Sequence, residues 1–219
     1  MPIDGDDLEA ALQALVASGA TIHSSFAAKH YRAASYFAGQ LKLKEEAALS
    51  EGGTYEIART EAQHLFSACI MSSVACVEAF HNETANRLKL DLEYIDLSGT
   101  TNPLDRINNL LRLKKAAPFE LGASPAQDLR SMIRLRNAFV HFRPESYTDS
   151  KLSEGFEFVL RGKGEASPLF DRVFFFFPDR VCSSSYARWA TRSARVFVSE
   201  AADRLGKKRP WWVVDPGAK

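Results

Sequence analysis

Ser124-Pro125-Ala126-Gln127-Asp128-Leu129-Arg130-Ser131-Met132-Ile133-Arg134-Leu135-Arg136-Asn137-Ala138-Phe139-Val140-His141-Phe142-Arg143-Pro144 is the stretch on which the fold reading turns. Ser followed by Pro reads as a cap and a first helical residue, and Pro144 as a stop, so a helix over about 125–142 is expected. At about 100° per residue, Leu129, Met132, Ile133, Leu135, Phe139, Val140 and Phe142 share one broad apolar face. Arg130, Arg134, Asn137 and His141 fall together on the other side. Arg136 breaks this pattern, because it projects into the middle of the apolar arc, between Val140 and Met132. A guanidinium keeps its proton inside a protein, so burying it unpaired is very costly. It needs a carboxylate, a set of carbonyls or an opening to solvent.

A second helix, from about 55 to 90 with Thr54 as its cap, supplies the carboxylate. Its segment 65–80 is apolar around most of its circumference, the mark of a central helix. Glu78 lies on that surface beside Val74 and Met71, and a Glu78–Arg136 pair would satisfy both groups. Such a pair is compatible with a purely structural role and with a functional one. Further helices are expected at 6–18, at 21–49 with a weakening at Gly39, at about 103–115 behind an Asn102 cap, and at 183–206 with Gly206 as the stop. Residues 156–161 and 172–177 are rich in Phe and Val, and the Gly162–Pro168 segment between them is turn-like. They predict a small β-hairpin, although a long irregular insertion would read similarly. The chain therefore reads as one mainly α domain over 1–219, a helical bundle with a small β-hairpin insertion near 156–177. Its parts are N-terminal helices at 1–53, a core at 54–145, an insertion at 146–180, a C-terminal helix at 181–206 and a tail at 207–219.

Composition narrows the function classes. The chain has 219 residues, of which 46% are hydrophobic and 25% charged, so it has the material for a sizeable core. The net charge of +1 rules out a uniformly basic nucleic-acid coat, and any polyanion site must be local. Charge is uneven along the chain. Residues 104–143 carry eight bases against three acids, and residues 180–219 carry nine against three. These runs are solvated helix faces or a positive surface for a polyanion. The acidic N-terminus lacks the pattern of a secretion signal, and the apolar stretch Leu65–Phe80 is short for a bilayer. Cys69 and Cys76 lie about 10 Å apart along one helix, too far to bridge. A cytoplasmic, non-membrane protein is the expectation.

Several chemistries compete for the polar residues. Glu61/His64 and Glu78/His81 both have the Glu-x-x-His spacing of a di-iron bundle, but they sit about 25 Å apart along one helix, so no metal site is expected. His23 and His30 are isolated. No glycine-rich phosphate loop is present. Ser183-Ser184-Ser185 reads as the cap of the last helix. The aromatic runs Phe174–Phe177 and Trp211-Trp212 read as core or interface.

Arg136-Asn137-Ala138-Phe139-Val140-His141 resembles the Arg-x4–6-His motif of the HEPN superfamily, in which a polar residue, often Asn, commonly follows the Arg. The preceding long helix with Val74-Ala75-Cys76-Val77-Glu78-Ala79-Phe80 and the shorter helix near 103–115 fit the same context. The resemblance covers about 55–145 and extends at most to the helix at 183–206; the N-terminal helices and 145–180 have no counterpart in it. It implies a HEPN-like core at 54–145 in a homodimer and a metal-independent endoribonuclease without a cofactor. Such proteins act in toxin–antitoxin, defence or RNA-processing systems, so an antitoxin is a further partner to expect. On this resemblance Arg136, Asn137 and His141 are the catalytic residues and Glu78 supports them, while Arg130, Arg134 and Arg143 would hold RNA. The alternative is a non-catalytic HEPN-like module that binds RNA, a nucleotide or a protein.

Overall fold

The computed structural model describes residues 24–51, 55–89, 102–141 and 151–213. Six α-helices make up the described fold: α1 Phe26–Glu51, α2 Glu56–Arg87, α3 Pro103–Leu113, α4 Ala126–Val140, α5 Lys151–Leu160 and α6 Ser184–Arg204. A wide turn spans Phe176–Arg180 and a short 3-10 turn spans Trp211–Val213. The expected helix at 6–18, its neighbour up to residue 23 and the Thr54 cap lie outside the described residues.

A helix that is apolar on all sides has to be surrounded, and α2 is. It buries Phe66, Cys69, Ile70, Val74, Cys76, Val77 and Phe80, and α1, α3, α4 and α6 all pack against it. Among the described residues α2 is the one helix long and apolar enough to cross a bilayer, and half of its most apolar window is buried inside the fold. Core packing therefore accounts for its composition. α1 approaches α2 and α6 along the small residues Ala27, Ala34 and Ala38, continued by Leu41, all buried. Where the three helices meet, the Cys69 thiol donates to the Ala34 carbonyl at 3.4 Å. Burial pushes its pKa up to about 12, so it stays a thiol. All three cysteines are free and buried.

Local signals set most helix ends. The Asn102 side chain accepts the Leu104 N–H at 3.0 Å with Pro103 in the first turn. The Ser183 hydroxyl accepts the Tyr186 N–H at 3.1 Å to cap α6. At the other end of α6, Gly206 adopts φ +63°. The Lys207 N–H then reaches the Ala202 carbonyl at 2.9 Å and the Gly206 N–H reaches Asp203 at 2.9 Å, a Schellman end. α1 runs through Gly39 without interruption. Ser124 does not cap α4. The helix begins after Pro125, and the Ser124 hydroxyl instead donates to Asp128 at 2.7 Å.

The expected β-hairpin is corrected. No strand occurs among the described residues, and Phe156–Leu160 belong to α5. A strand would have placed Phe156, Phe158 and Leu160 on one side. The chain instead buries Ser153, Phe156 and Leu160, at helical spacing, and leaves Phe158 72% exposed. Phe156 meets Phe177 of the wide turn at 4.9 Å, Phe177 meets Phe139 of α4 at 5.0 Å, and Phe139 meets Phe66 of α2 at 5.9 Å. This aromatic chain ties the insertion to the core and outweighs the strand propensity of its residues.

Candidate functional site

The two residues that break their helices' apolar patterns find each other. Arg136 of α4 donates from Nη2 to Glu78 Oε1 of α2 at 3.3 Å. The pair is not sealed: the Arg136 side chain is 28% exposed and that of Glu78 34%. The reason lies in how α4 is covered. Leu129, Met132, Ile133 and Leu135 are buried, but over the last turn the same side opens, and Val140, expected on the apolar face, is 52% exposed. Arg136 sits where that cover gives out. Its Nε is itself buried and has no acceptor among the described residues. The guanidinium thus keeps donor capacity beyond the single bond to Glu78.

The other predicted site residues lie along the same helix. His141 is the C-cap residue of α4, its N–H held by the Asn137 carbonyl at 2.9 Å, and its side chain is exposed. Asn137, Arg130 and Arg134 are exposed as well. Arg130 Nη1 donates to the Leu121 carbonyl at 3.4 Å, and the Arg134 guanidinium lies 5.5 Å from the Phe156 ring centre. Arg143 lies outside the described residues. The structure therefore brings Arg136 and Glu78 into contact and sets His141 and Asn137 exposed at the end of the helix that carries Arg136.

The Glu-x-x-His pairs go elsewhere. Glu61 binds Lys44 at 2.9 Å, and the buried His81 places Nδ1 3.0 Å from Asn82 Oδ1. Among the described residues no three His, Cys, Asp or Glu side chains converge as a ligand set.

Two polar sites escaped the sequence reading. Glu45 of α1 is 6% exposed, and its Oε1 accepts the Ser184 N–H at the start of α6 at 3.0 Å and the Ser167 hydroxyl at 3.5 Å. Burial raises its pKa, and the Ser184 bonds offset this only in part. The signal was present, because Glu45 continues the buried stripe of Ala34, Ala38 and Leu41. The second site pairs Asp128 of α4 with Lys163, which sits between Gly162 at φ +76° and Gly164. A Cβ on Gly164 would come within 2.8 Å of the Tyr186 ring. Burial alone would raise the Asp128 pKa, but bonds from Lys163 and Ser124 outweigh it and hold the carboxyl below its ordinary range.

No family model matches the chain, and neither a curated protein nor a solved structure matches it significantly.

Proposed function

We propose that this chain is a HEPN-like, metal-independent endoribonuclease that works as a homodimer in the cytoplasm, in a toxin–antitoxin, defence or RNA-processing setting. The observation that carries the reading is Arg136. This cation is set into a helix face otherwise apolar, tethered to Glu78 at 3.3 Å, still 28% exposed, with further donors unspent. A merely structural arginine in a core would be closed over, whereas the Arg136 side chain keeps partial exposure on the helix that also carries the exposed Asn137 and His141.

The chemistry follows from the substrate. The 2′-hydroxyl of RNA attacks the adjacent phosphorus, the bond to the 5′-oxygen breaks, and a 2′,3′-cyclic phosphate and a 5′-hydroxyl result. One group takes the proton from the 2′-hydroxyl and another gives a proton to the departing 5′-oxygen. An imidazole suits either task near neutrality, and a two-fold dimer supplies two copies of His141. Arg136 stabilises the charge that grows on the phosphoryl oxygens. Asn137 orients the phosphate, Glu78 holds Arg136, and Arg130, Arg134 and Arg143 attract the strand. The dependence on a 2′-hydroxyl selects RNA over DNA.

Purified protein is expected to cleave single-stranded RNA in EDTA, and His141→Ala is expected to abolish cleavage with the melting temperature retained. Equal cleavage by both would assign the activity to a contaminant and remove the proposal. The direct Arg136–Glu78 bond favours a second reading, a structural pair within a non-catalytic binding module. RNA binding without cleavage, unaffected by His141→Ala, would select it.

A further inference from the structure

The C-terminal ends of α2 and α6 come together beside the start of α1, and between them lies a pocket of about 240 Å³. Arg87, Lys207 and Lys208 line it, together with Glu83, Thr84 and Trp211. Neighbouring cations are already engaged: Arg204 binds Glu200 at 2.6 Å and Arg209 binds Asp203 at 2.7 Å. Arg87, Lys207 and Lys208 have no carboxylate partner among the described residues. Among the described residues Glu83 is the one acid in the wall, and its carboxylate accepts the Ala27 N–H at 2.9 Å and the Ser25 hydroxyl at 3.0 Å. Three cations against one acid leave the described lining at +2.

Basic residues after a helix end are ordinarily explained by the helix dipole. That explanation covers a cation at each end but neither the pocket nor the tryptophan. Trp211 is 64% exposed although the Arg32 guanidinium stacks 4.8 Å from its ring centre. Its neighbour Trp212 is buried and packs 5.1 Å from Tyr31. One tryptophan anchors the tail and the other is left as a surface platform at the rim of a cationic pocket.

We propose that this pocket binds a single nucleotide, free or at the end of an RNA strand. The phosphate sits among Arg87, Lys207 and Lys208, the base stacks on Trp211, and oxygens of Glu83 and Thr84 accept or share hydroxyl protons of the sugar. Drug-sized ligands, mononucleotides among them, occupy pockets of about 300–1,000 Å³, so this smaller volume holds the phosphate and sugar and leaves the base outside, on Trp211. The site is separate from the Arg136 region. Arg87 follows Glu78 on α2 by about half a turn in direction, at 100° per residue, so the two face opposite sides of the helix.

Calorimetric titration of the full chain with AMP, UMP, inorganic phosphate, adenosine and a 5′-phosphorylated RNA tetranucleotide tests the proposal. A mononucleotide or the tetranucleotide is expected to saturate at one site per chain, with phosphate and adenosine each weaker by about tenfold or more. Lys207→Ala/Lys208→Ala and Trp211→Ala are each expected to weaken binding by about tenfold, at unchanged melting temperature because all three side chains are exposed. Tighter binding of the tetranucleotide than of either mononucleotide would identify a strand end as the ligand, and the reverse a free nucleotide. Absence of saturable binding by all the nucleotides, affinities unmoved by the variants, or phosphate binding as tightly as AMP and UMP would overturn it. AMP and UMP carry no scissile phosphodiester and the variants lie away from Arg136, so the mononucleotide arms are independent of the nuclease reading; the tetranucleotide is titrated into the His141→Ala chain, so that cleavage does not enter the heat.

Discussion

Glu45 and Glu78 are glutamates on neighbouring long helices, and the bundle treats them in opposite ways. Glu45 is 6% exposed and receives neutral donors, the Ser184 N–H at 3.0 Å and the Ser167 hydroxyl. Glu78 is 34% exposed and receives a cation, Arg136, itself 28% exposed. The first acid locks α1 to the start of α6, where unsatisfied N–H groups and the helix dipole favour negative charge. The second acid leaves its partner accessible. The difference teaches that a polar residue on an apolar face is not enough to mark a site. What separates a fastening from a candidate site here is whether solvent, and hence a ligand, can still reach the partner.

The largest effect should come from the closed member. Glu45→Leu leaves the Ser184 N–H and the Ser167 hydroxyl buried without their acceptor, and chemical denaturation should show a loss of about 2–4 kcal/mol. A loss below that range would show that water replaces the carboxylate and that the site is less closed than it looks. Glu45→Gln keeps an acceptor and sharpens the comparison through pH. The Glu45 pKa is raised from its ordinary 4.5 by burial. The unfolded chain therefore releases this proton first as pH rises, and the folded chain holds more protons between 4.5 and its own higher value. Stability must fall with rising pH across that window, and the fall should disappear in Glu45→Gln. An unchanged slope would place the titrating group elsewhere.

The open pair should count for less. A double-mutant cycle over Glu78→Gln and Arg136→Met should give a coupling of about 0.5–1 kcal/mol, since both groups are partly solvated. A coupling of about 3 kcal/mol or more would make this pair a fastening like Glu45 and erase the contrast. The smallest effect on stability belongs to His141→Ala, expected within about 0.5 kcal/mol because the side chain is exposed. Its effect on RNA cleavage, by contrast, should be complete.

Much of the bundle was legible residue by residue. The all-round apolar character of 65–80 announced a central helix, and α2 has that place. Asn102-Pro103, Ser183 and Gly206 carry end signals that act through neighbouring backbone, so they could be read without tertiary knowledge. Arg136 and Glu78 were legible as partners because each violated its own helix pattern in the same sense. Glu45 was not, because Lys42-Leu43-Lys44-Glu45-Glu46 looks like a solvated run unless the stripe from Ala34 is followed through it. The segment 156–160 misled because Phe and Val favour strands, while its burial was settled by Phe177 and Phe139, far away in sequence. The pocket at the ends of α2 and α6 unites residues 83–87 with 207–211, a proximity that no local pattern encodes.

Sequence alone determined that this chain forms helices, where most of them begin and end, and that one arginine needed a partner or an opening to solvent, because capping, periodicity and the charge of a guanidinium are properties of short stretches. Tertiary structure decided that the Phe-rich insertion is helical, that Glu45 is enclosed while Glu78 stays open, and that two helix ends build a cationic pocket beneath a tryptophan. These outcomes depend on which surfaces are covered by distant parts of the chain, and burial is a property of the packed whole.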